Sequence, residues 1–173
     1  MTKAANLAAL GTSNGISVLV SGTAVASTSG TSIDFTSIPS WVKRITVMFS
    51  GVSTNGTSLV QIQVGAGSVT TSGYVGASGR FFTSNQAFAD SATTGFTINS
   101  AAASNVYYGS LVLTNFSGNT WVASGTFSNS VTTAIIVSTA GGIALGGVLD
   151  RVRITTVNGT DTFDAGSINI LYE

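Results

Sequence analysis

Two acidic residues near the C-terminus are the closest approach in this sequence to a chemically active pair. Asp161 and Asp164 flank Phe163 in the segment GTDTFDAGS. Two carboxylates can act as the acid and base of a glycosidase, and carboxylate oxygens also bind calcium. An aspartate just before Ala-Gly is also typical of a side-chain-capped turn that leads into a strand. We favour the turn, and assign Asp164 a structural role at the entrance of the last strand.

The residues that most other site chemistry needs are missing. The chain has no His and no Cys, which excludes a histidine-based triad, a thiol nucleophile and zinc sites built on those ligands. Its many glycines never stand with a Lys in the strand–loop–helix arrangement of a phosphate-binding loop. We therefore predict a protein that is not an enzyme and that uses no cofactor and no metal.

Aromatic residues beside polar loops are better candidates for recognition. Tyr and Trp combine an apolar ring with a polar group, which suits them to stack on sugars. The adjacent pairs Phe81-Phe82 and Tyr107-Tyr108 must point to opposite faces of a strand, so one ring of each pair is expected in the core. The outward ring of each pair is expected to contact either a ligand or a neighbouring subunit. The candidate recognition surface consists of Tyr74, Arg80, Phe82, Tyr108 and Trp121.

Charge is scarce along the whole chain. Charged residues make up 7% of the 173 residues, whereas an average soluble protein has about 25%. Six basic residues balance six acidic ones, which argues against a nucleic-acid partner because phosphate binding needs clustered Lys and Arg. A surface with so little charge favours self-association.

The elements that must position these residues are β-strands. Short runs of Val, Ile, Thr and aromatic residues alternate with turns rich in Gly, Asn and Ser, and several runs have a hydrophobic period of two. This pattern predicts an all-β fold, an antiparallel β-sandwich with jelly-roll-like connectivity, with a barrel as the alternative. The predicted strands cover residues 16–20, 23–28, 32–35, 42–49, 58–64, 68–74, 95–98, 106–114, 121–127, 132–138, 149–157 and 167–172.

One domain is expected over residues 16–173, preceded by a short N-terminal arm over residues 1–15. Residues 131–149 carry no charge and approach the length of a membrane span. Two glycine pairs, Gly141-Gly142 and Gly146-Gly147, instead predict turns between short strands in this segment. We therefore expect no membrane insertion.

The segment IPSWVKRITVMF, residues 38–49, is predicted to be a structural corner. Pro39, the only proline, cannot donate to a β-ladder and is expected to fix a turn at the entrance of a strand. Strict alternation places Trp41 on the inward face of that strand, together with Ile45, Val47 and Phe49. The same alternation places Lys43 on the inward face, where a charged group would have to reach water at the end of the sheet.

Two stretches resemble proteins of bacteriophage virions. Residues 25–58 (VASTSGTSIDFTSIPSWVKRITVMFSGVSTNGTS) are similar to a segment of tail-fibre and other virion proteins, and residues 149–173 (LDRVRITTVNGTDTFDAGSINILYE) are similar to the C-terminal end of the same proteins. Residues 65–147 share no such similarity. The resemblance implies a β-sandwich module exposed on a virion, commonly trimeric, at a tail-fibre tip or on the capsid, with no catalytic residues to carry over.

From the resemblance we expect a non-enzymatic virion structural protein, a tail-fibre or receptor-binding component that contacts host surface glycan or protein. Its partners would be two further copies in a homotrimer and other virion proteins reached through the N-terminal arm. The alternative is a capsid decoration or head-fibre protein. A polysaccharide depolymerase is disfavoured by the lack of His and of spaced acidic pairs. A secreted adhesin or carbohydrate-binding module would be supported by a signal peptide. We expect none here, because residues 12–15 interrupt the apolar run that such a peptide needs.

Overall fold

The computed structural model describes residues 18–82, 86–129 and 134–173, and within them all regular structure is β-strand. The predicted arm, residues 1–15, lies outside the described residues. No helix in the described ranges is long and apolar enough to cross a membrane. The strands are β1 (Val20–Ser21), β2 (Val25–Ala26), β3 (Ser32–Thr36), β4 (Arg44–Thr54), β5 (Val60–Ala66), β6 (Ser68–Val69), β7 (Val75–Phe82), β8 (Ala87–Ala92), β9 (Phe96–Ile98), β10 (Tyr107–Ser117), β11 (Thr120–Asn129), β12 (Ile135–Ala144), β13 (Arg151–Thr156) and β14 (Phe163–Tyr172).

The strands form two antiparallel sheets that pack face to face. The large sheet has the order β1-β14-β4-β10-β11-β12-β7-β8, with β2 also paired to β14. The small sheet has the order β3-β13-β5-β6, with β9 also paired to β5. The predicted all-β antiparallel sandwich is confirmed, and the jelly-roll-like connectivity stays a prediction.

The core lies between the two sheets and consists of the inward residues of each alternating strand. Each fully buried Val, Leu, Ile or Phe contributes about 1.5–3 kcal/mol to stability by leaving water. Rings meet edge to face at 5.2 Å for Phe49 and Phe127 and at 5.1 Å for Tyr74 and Phe96. The large sheet contributes Ile45, Val47, Phe49, Leu111, Leu113, Phe127 and Ile168, and the small sheet contributes Val60, Ile62, Val64, Phe96, Val152 and Ile154.

Strands β7 and β8 were not predicted, although they form a hairpin at the end of the large sheet. Their sequences, VGASGRFF and AFADSA, are rich in Gly, Ala and Ser, which have little intrinsic preference for strands. Pairing of β7 with β12 supplies the order that the local sequence lacks. Local strand signals therefore miss elements that exist because a neighbouring strand pairs with them.

The prediction of a turn at Gly141-Gly142 was wrong, because both residues lie inside β12. A Cβ atom at Gly141 would lie 2.7 Å from the carbonyl oxygen of Val75 and 2.8 Å from the Cα of Gly76. Glycine is present there because two strands approach closely, not because the chain turns. Gly146-Gly147 do form a bend after β12, as predicted.

Pro39 lies at the predicted structural turn. The Val42 amide donates to the Pro39 carbonyl oxygen at 3.1 Å, which closes the turn. The preceding Ile38 amide donates to the Asp150 carbonyl oxygen at 3.0 Å, which ties the corner to the segment before β13. The missing N–H of Pro39 costs nothing here, because a turn position needs no ladder donor.

Trp41 was placed wrongly on the inward face. Strand β4 begins only at Arg44, so Trp41 lies in the turn, with 43% of its surface exposed and its ring 5.9 Å from that of Tyr172. Lys43 is exposed for the same reason, and its Nζ donates to Asn115 Oδ1 at 3.4 Å. The period of two holds for Ile45–Phe49 and not before the strand begins.

Asp164 does not form the predicted turn. It lies inside β14, where its carboxylate accepts a hydrogen bond from the Ser53 hydroxyl of β4. The turn is instead organised by Asn158, whose Oδ1 accepts from the amides of Thr160 at 3.0 Å and Asp161 at 3.2 Å. The pKa of Asp161 is lowered, first by a hydrogen bond from the Asn158 side chain and then by one from the Ser58 amide.

A test of the β7–β12 approach is the substitution Gly141→Ala. We expect it to lower the free energy of unfolding by about 1–3 kcal/mol, because the added methyl group meets backbone that cannot move independently. Urea titration followed by tryptophan fluorescence measures the change. The control is Gly146→Ala, where nothing lies within 4 Å of the new Cβ and the expected change is within about 0.5 kcal/mol. Equal stability of the two variants would contradict the close approach.

Candidate functional site

Two of the five predicted recognition residues belong to the core. Tyr74 and Trp121 retain only 3% and 4% of their exposed surface, so neither can contact a ligand in this structure. The Tyr74 hydroxyl accepts from the Val64 amide at 2.8 Å and donates to the Thr70 carbonyl oxygen at 3.0 Å. Burial raises the pKa of Tyr74 to about 12, an effect that the hydrogen bond from Val64 partly offsets.

The alternation of apolar residues along β11 indicates that Trp121 is buried. Trp121, Ala123 and Phe127 lie at even spacing in β11 and are all buried. Proximity to the polar loop at Gly118-Asn119 suggested a surface ring, but the alternation of β11 carries the stronger signal. A position beside a loop in the sequence is therefore a poorer guide to exposure than the alternation of inward and outward residues along the strand.

Adjacent tyrosines in β10 do point to opposite faces, as predicted. Tyr107 is 2% exposed and Tyr108 is 47% exposed. Tyr107 donates to the Ser100 carbonyl oxygen and accepts from Asn105 Nδ2 at 3.1 Å, and burial raises its pKa. Tyr108 is thus the member of the pair that is available to a partner.

Arg80 and Phe82 lie together on the β7–β8 hairpin, where Phe88 joins them. Arg80 is directly opposite Phe88 in the register of the hairpin. The guanidinium carbon of Arg80 lies 5.5 Å from the ring centre of Phe82 and 5.2 Å from that of Phe88. The two rings meet edge to face at 5.8 Å. We call Arg80, Phe82 and Phe88 the Arg80 clamp.

Phe88 was not among the predicted site residues. No spacing rule in the sequence links it to Arg80, because residues 83–86 separate the two strands and the register between the strands is set by their pairing. Cation–π contacts within about 6 Å contribute about 0.5–2 kcal/mol each, depending on how far the cation is desolvated. The hairpin register therefore creates a cluster that neither strand contains alone.

The charge of Arg80 has no carboxylate partner in the part of the chain that the structure describes. Three other arginines do pair: Arg44 with Glu173 at 3.3 Å, Arg151 with Asp150 at 2.8 Å and Arg153 with Asp34 at 2.7 Å. The Nε of Arg80 is buried and makes no hydrogen bond to a described residue. An unsatisfied buried donor costs about 1–3 kcal/mol, so the two rings hold Arg80 at an energetic cost.

Tyr108 does not belong to the Arg80 clamp. Arg80 shares its side of β7 with the buried Ser78, whereas Tyr108 lies on the opposite side of the large sheet with the outward residues of β10. The structure thus brings together Arg80 and Phe82 and separates both from Tyr108. Of the five predicted recognition residues, two therefore lie in the core, two belong to the Arg80 clamp, and Tyr108 alone lies on a second surface.

That second surface is the outer face of the large sheet, the side turned away from the small sheet. Four neighbouring strands, β10, β11, β12 and β7, contain a single charged residue, Arg80, and it is on the other side. We define the outer face by these outward residues: Tyr108, Ser110 and Val112 of β10, Val122, Ser124 and Thr126 of β11, Ile136, Ser138 and Ala140 of β12, and Val75, Ala77 and Phe81 of β7.

The outer face is flat, uncharged and partly apolar. Val75, Phe81, Val122 and Ile136 each expose between 43% and 79% of their surface. Strands about 4.8 Å apart with about 3.3 Å per residue give the defined outer face an area of about 350 Å². Exposed apolar patches on single chains are often interaction sites.

The comparisons with known proteins concern the chain as a whole. No family model, no curated protein and no solved structure matches the chain. Within the described residues, no group of three or more His, Cys, Asp or Glu could hold a metal ion. The features of the chain that bear on its function are therefore the Arg80 clamp, the outer face and the resemblance of the two sequence stretches.

Replacing Tyr74 by Phe should destabilise the protein. The change leaves the buried Val64 amide without its acceptor, which costs about 1–3 kcal/mol. Urea unfolding at pH 7 measures the loss. Tyr108→Phe is the matched control, since that hydroxyl belongs to an exposed ring and its removal should change stability by less than about 0.5 kcal/mol. A Tyr74→Phe variant as stable as Tyr108→Phe would contradict the hydrogen-bonded role of Tyr74.

The raised pKa of Tyr74 predicts a loss of stability in alkali. Tyr74 in the unfolded chain ionises near pH 10, whereas in the folded chain it ionises near pH 12. The folded state therefore binds more protons between these values, so stability is complete below pH 10 and falls as the pH rises toward 12. A shift of this size corresponds to about 3 kcal/mol. Urea unfolding of wild type and Tyr74→Phe between pH 8 and pH 11.5 should show a steeper decline for wild type, and parallel curves would contradict it.

Proposed function

We propose that this chain is a non-enzymatic structural protein of a bacteriophage virion, a tail-fibre or receptor-binding component that is exposed on the particle. It contacts host surface glycan or protein and assembles as a homotrimer. Residues 1–15 attach it to other virion proteins. The similarity of residues 25–58 and 149–173 to virion proteins supports the setting, and the sandwich fold agrees with that similarity.

The observation that carries the proposal is the uncharged outer face. A partner with charged groups would have to desolvate them against a face that offers no counter-charge, which is costly. Another copy of this chain offers the same uncharged face and has no charged group there to desolvate. Three copies around a threefold axis can each turn the outer face inward, so that each copy meets both neighbours.

The low charge of the chain fits the same arrangement. A monomer relies on surface charge for solubility, and this chain has net charge zero with only 7% charged residues. Burial of the outer face between copies removes the apolar surface that would otherwise promote unspecific association. Each copy then keeps its hairpin clamp and loops for contacts outside the trimer, where several weak contacts act together.

Labelling of phage particles tests the proposed setting. Particles of a phage that encodes this chain are incubated with an antibody against the purified protein and examined by electron microscopy. Label at the tail or tail fibres is expected, in small multiples of three copies per particle by quantitative mass spectrometry. Absence of the protein from purified particles would contradict the proposal.

A capsid decoration or head-fibre protein is the second candidate. The resemblance of residues 25–58 and 149–173 supports it as well, because it extends to modules exposed on the capsid. Copy number separates the two roles, since decoration proteins approach the stoichiometry of the capsid. Label on the head and a copy number in the hundreds would establish the second candidate and reject the first.

A charge in the centre of the outer face should separate the copies. In Ser124→Glu, each interface would bury like charges without a partner, so we expect trimers of wild type and monomers of the variant at about 20 µM. Size-exclusion chromatography with light scattering measures the mass. Thr160→Glu adds the same charge at an exposed turn far from the outer face and should remain trimeric. A monomeric wild type, or a trimeric Ser124→Glu, would contradict the assigned interface.

A further inference from the structure

We propose that the Arg80 clamp binds the carboxylate of an acidic sugar, a hexuronic acid within a polysaccharide. The inference rests on the proposed function, because it names the chemical class of host-surface glycan that the exposed hairpin would meet. Arg80 binds the carboxylate, and the sugar ring packs on Phe88, the exposed phenylalanine of the clamp.

Arg80 is half-buried, and its guanidinium group makes no hydrogen bond to a described residue. The two ring centres lie 5.5 and 5.2 Å from its guanidinium carbon, and its Nε is buried without a partner. The terminal nitrogens Nη1 and Nη2 are not among the buried unpaired atoms. They also donate no hydrogen bond to a described residue, unlike the guanidinium groups of Arg44, Arg151 and Arg153. These donors are thus left for a ligand, on a side chain that two rings already hold in place.

A carboxylate is the ligand that this arrangement fits. Two parallel N–H donors of one guanidinium match the two oxygens of a carboxylate. The carboxylate nearest in the hairpin sequence, Asp90, accepts from Asn99 Nδ2 at 2.8 Å and forms no ion pair with Arg80. No described carboxylate therefore lies within ion-pair distance of Arg80, which leaves the cation for another molecule.

A sugar ring is favoured over other carriers of a carboxylate by Phe88. Its ring is 48% exposed and lies beside the guanidinium. The apolar C–H face of a pyranose can pack on an exposed aromatic ring while the carboxylate at C5 reaches the cation. In a hexuronic acid the carboxylate is attached directly to the pyranose ring. One sugar residue of the polysaccharide can therefore contact Phe88 with its ring and Arg80 with its carboxylate.

Binding of a uronic acid oligosaccharide to the full chain tests the inference. The probes are tetragalacturonic acid and its fully methyl-esterified form, which keeps the sugar rings and removes the charge. Isothermal titration calorimetry or NMR shift changes give the affinity at low salt. We expect binding of the acid form, at least about tenfold weaker binding of the ester, and a loss of at least about tenfold in Arg80→Gln.

The variants separate the clamp from general charge and from misfolding. Lys43→Gln removes one exposed positive charge at the other end of the strands and should bind like wild type. Arg80→Lys keeps the charge in the clamp but loses the two parallel donors, so its affinity should lie between wild type and Arg80→Gln. Circular dichroism of each variant confirms that the fold is retained, and Arg80→Lys decides the matter if Arg80→Gln does not fold.

Three results would overturn the inference: no binding of tetragalacturonic acid, equal binding of its methyl ester, or equal binding by wild type and the Arg80 variants. Binding of a tetra-glutamate peptide as tight as that of the sugar would also overturn it, because the carboxylate would then come from a protein. None of these results tests whether the protein is part of the virion, which is tested separately by the labelling of particles. Protein absent from particles would contradict the proposed function even if the clamp binds the acid.

Discussion

The pairing of the last strand with β4 is the constraint on which the rest of the structure depends. Strand β14 lies between β4 and the short strands β1 and β2, so it joins the start of the described chain to its end. The amides of Lys43 and Arg44 donate to the Glu173 carbonyl oxygen at 2.7 and 2.8 Å, and the Arg44–Glu173 ion pair lies beside them. Because partners more than a hundred residues apart must meet, the central strands of the large sheet acquire their full ladder only when the whole chain is present.

The small sheet repeats the same arrangement. Strand β13 pairs with β3 on one side and β5 on the other, and the Arg153–Asp34 pair joins β13 to β3 on the exposed side. Two of the three ion pairs among the described residues, Arg44–Glu173 and Arg153–Asp34, thus lie where early and late segments of the chain meet. Arg80 stands apart from that use, since two rings hold it and no carboxylate does. That difference makes the hairpin distinct in a molecule otherwise built with very little charge.

Alternation explains both the correct and the wrong sequence predictions. It placed Tyr107 in the core and Tyr108 outside, and it correctly assigned Ile45, Val47 and Phe49. It failed at Trp41, because the strand begins three residues later than the pattern implied. The beginning is set by hydrogen bonds to Glu173, which no local pattern contains. The prediction for Tyr74 was wrong for a related reason, since Tyr74 lies in the loop before β7 and its hydroxyl is hydrogen-bonded to the Val64 amide of β5, ten residues earlier.

The sequence by itself determined the class of fold, most of the strands and the inward face of each, because hydrophobic period and turn residues act over a few neighbouring positions. It also determined the lack of charge on which the outer face depends. Only the tertiary structure decided the order of the strands, the hairpin of β7 and β8, and the meeting of Arg80 with Phe88. The physical reason is that strands of similar composition present the same backbone donors and acceptors to any partner. The choice among partners is made by the packing of all inward faces at once, which no single segment encodes.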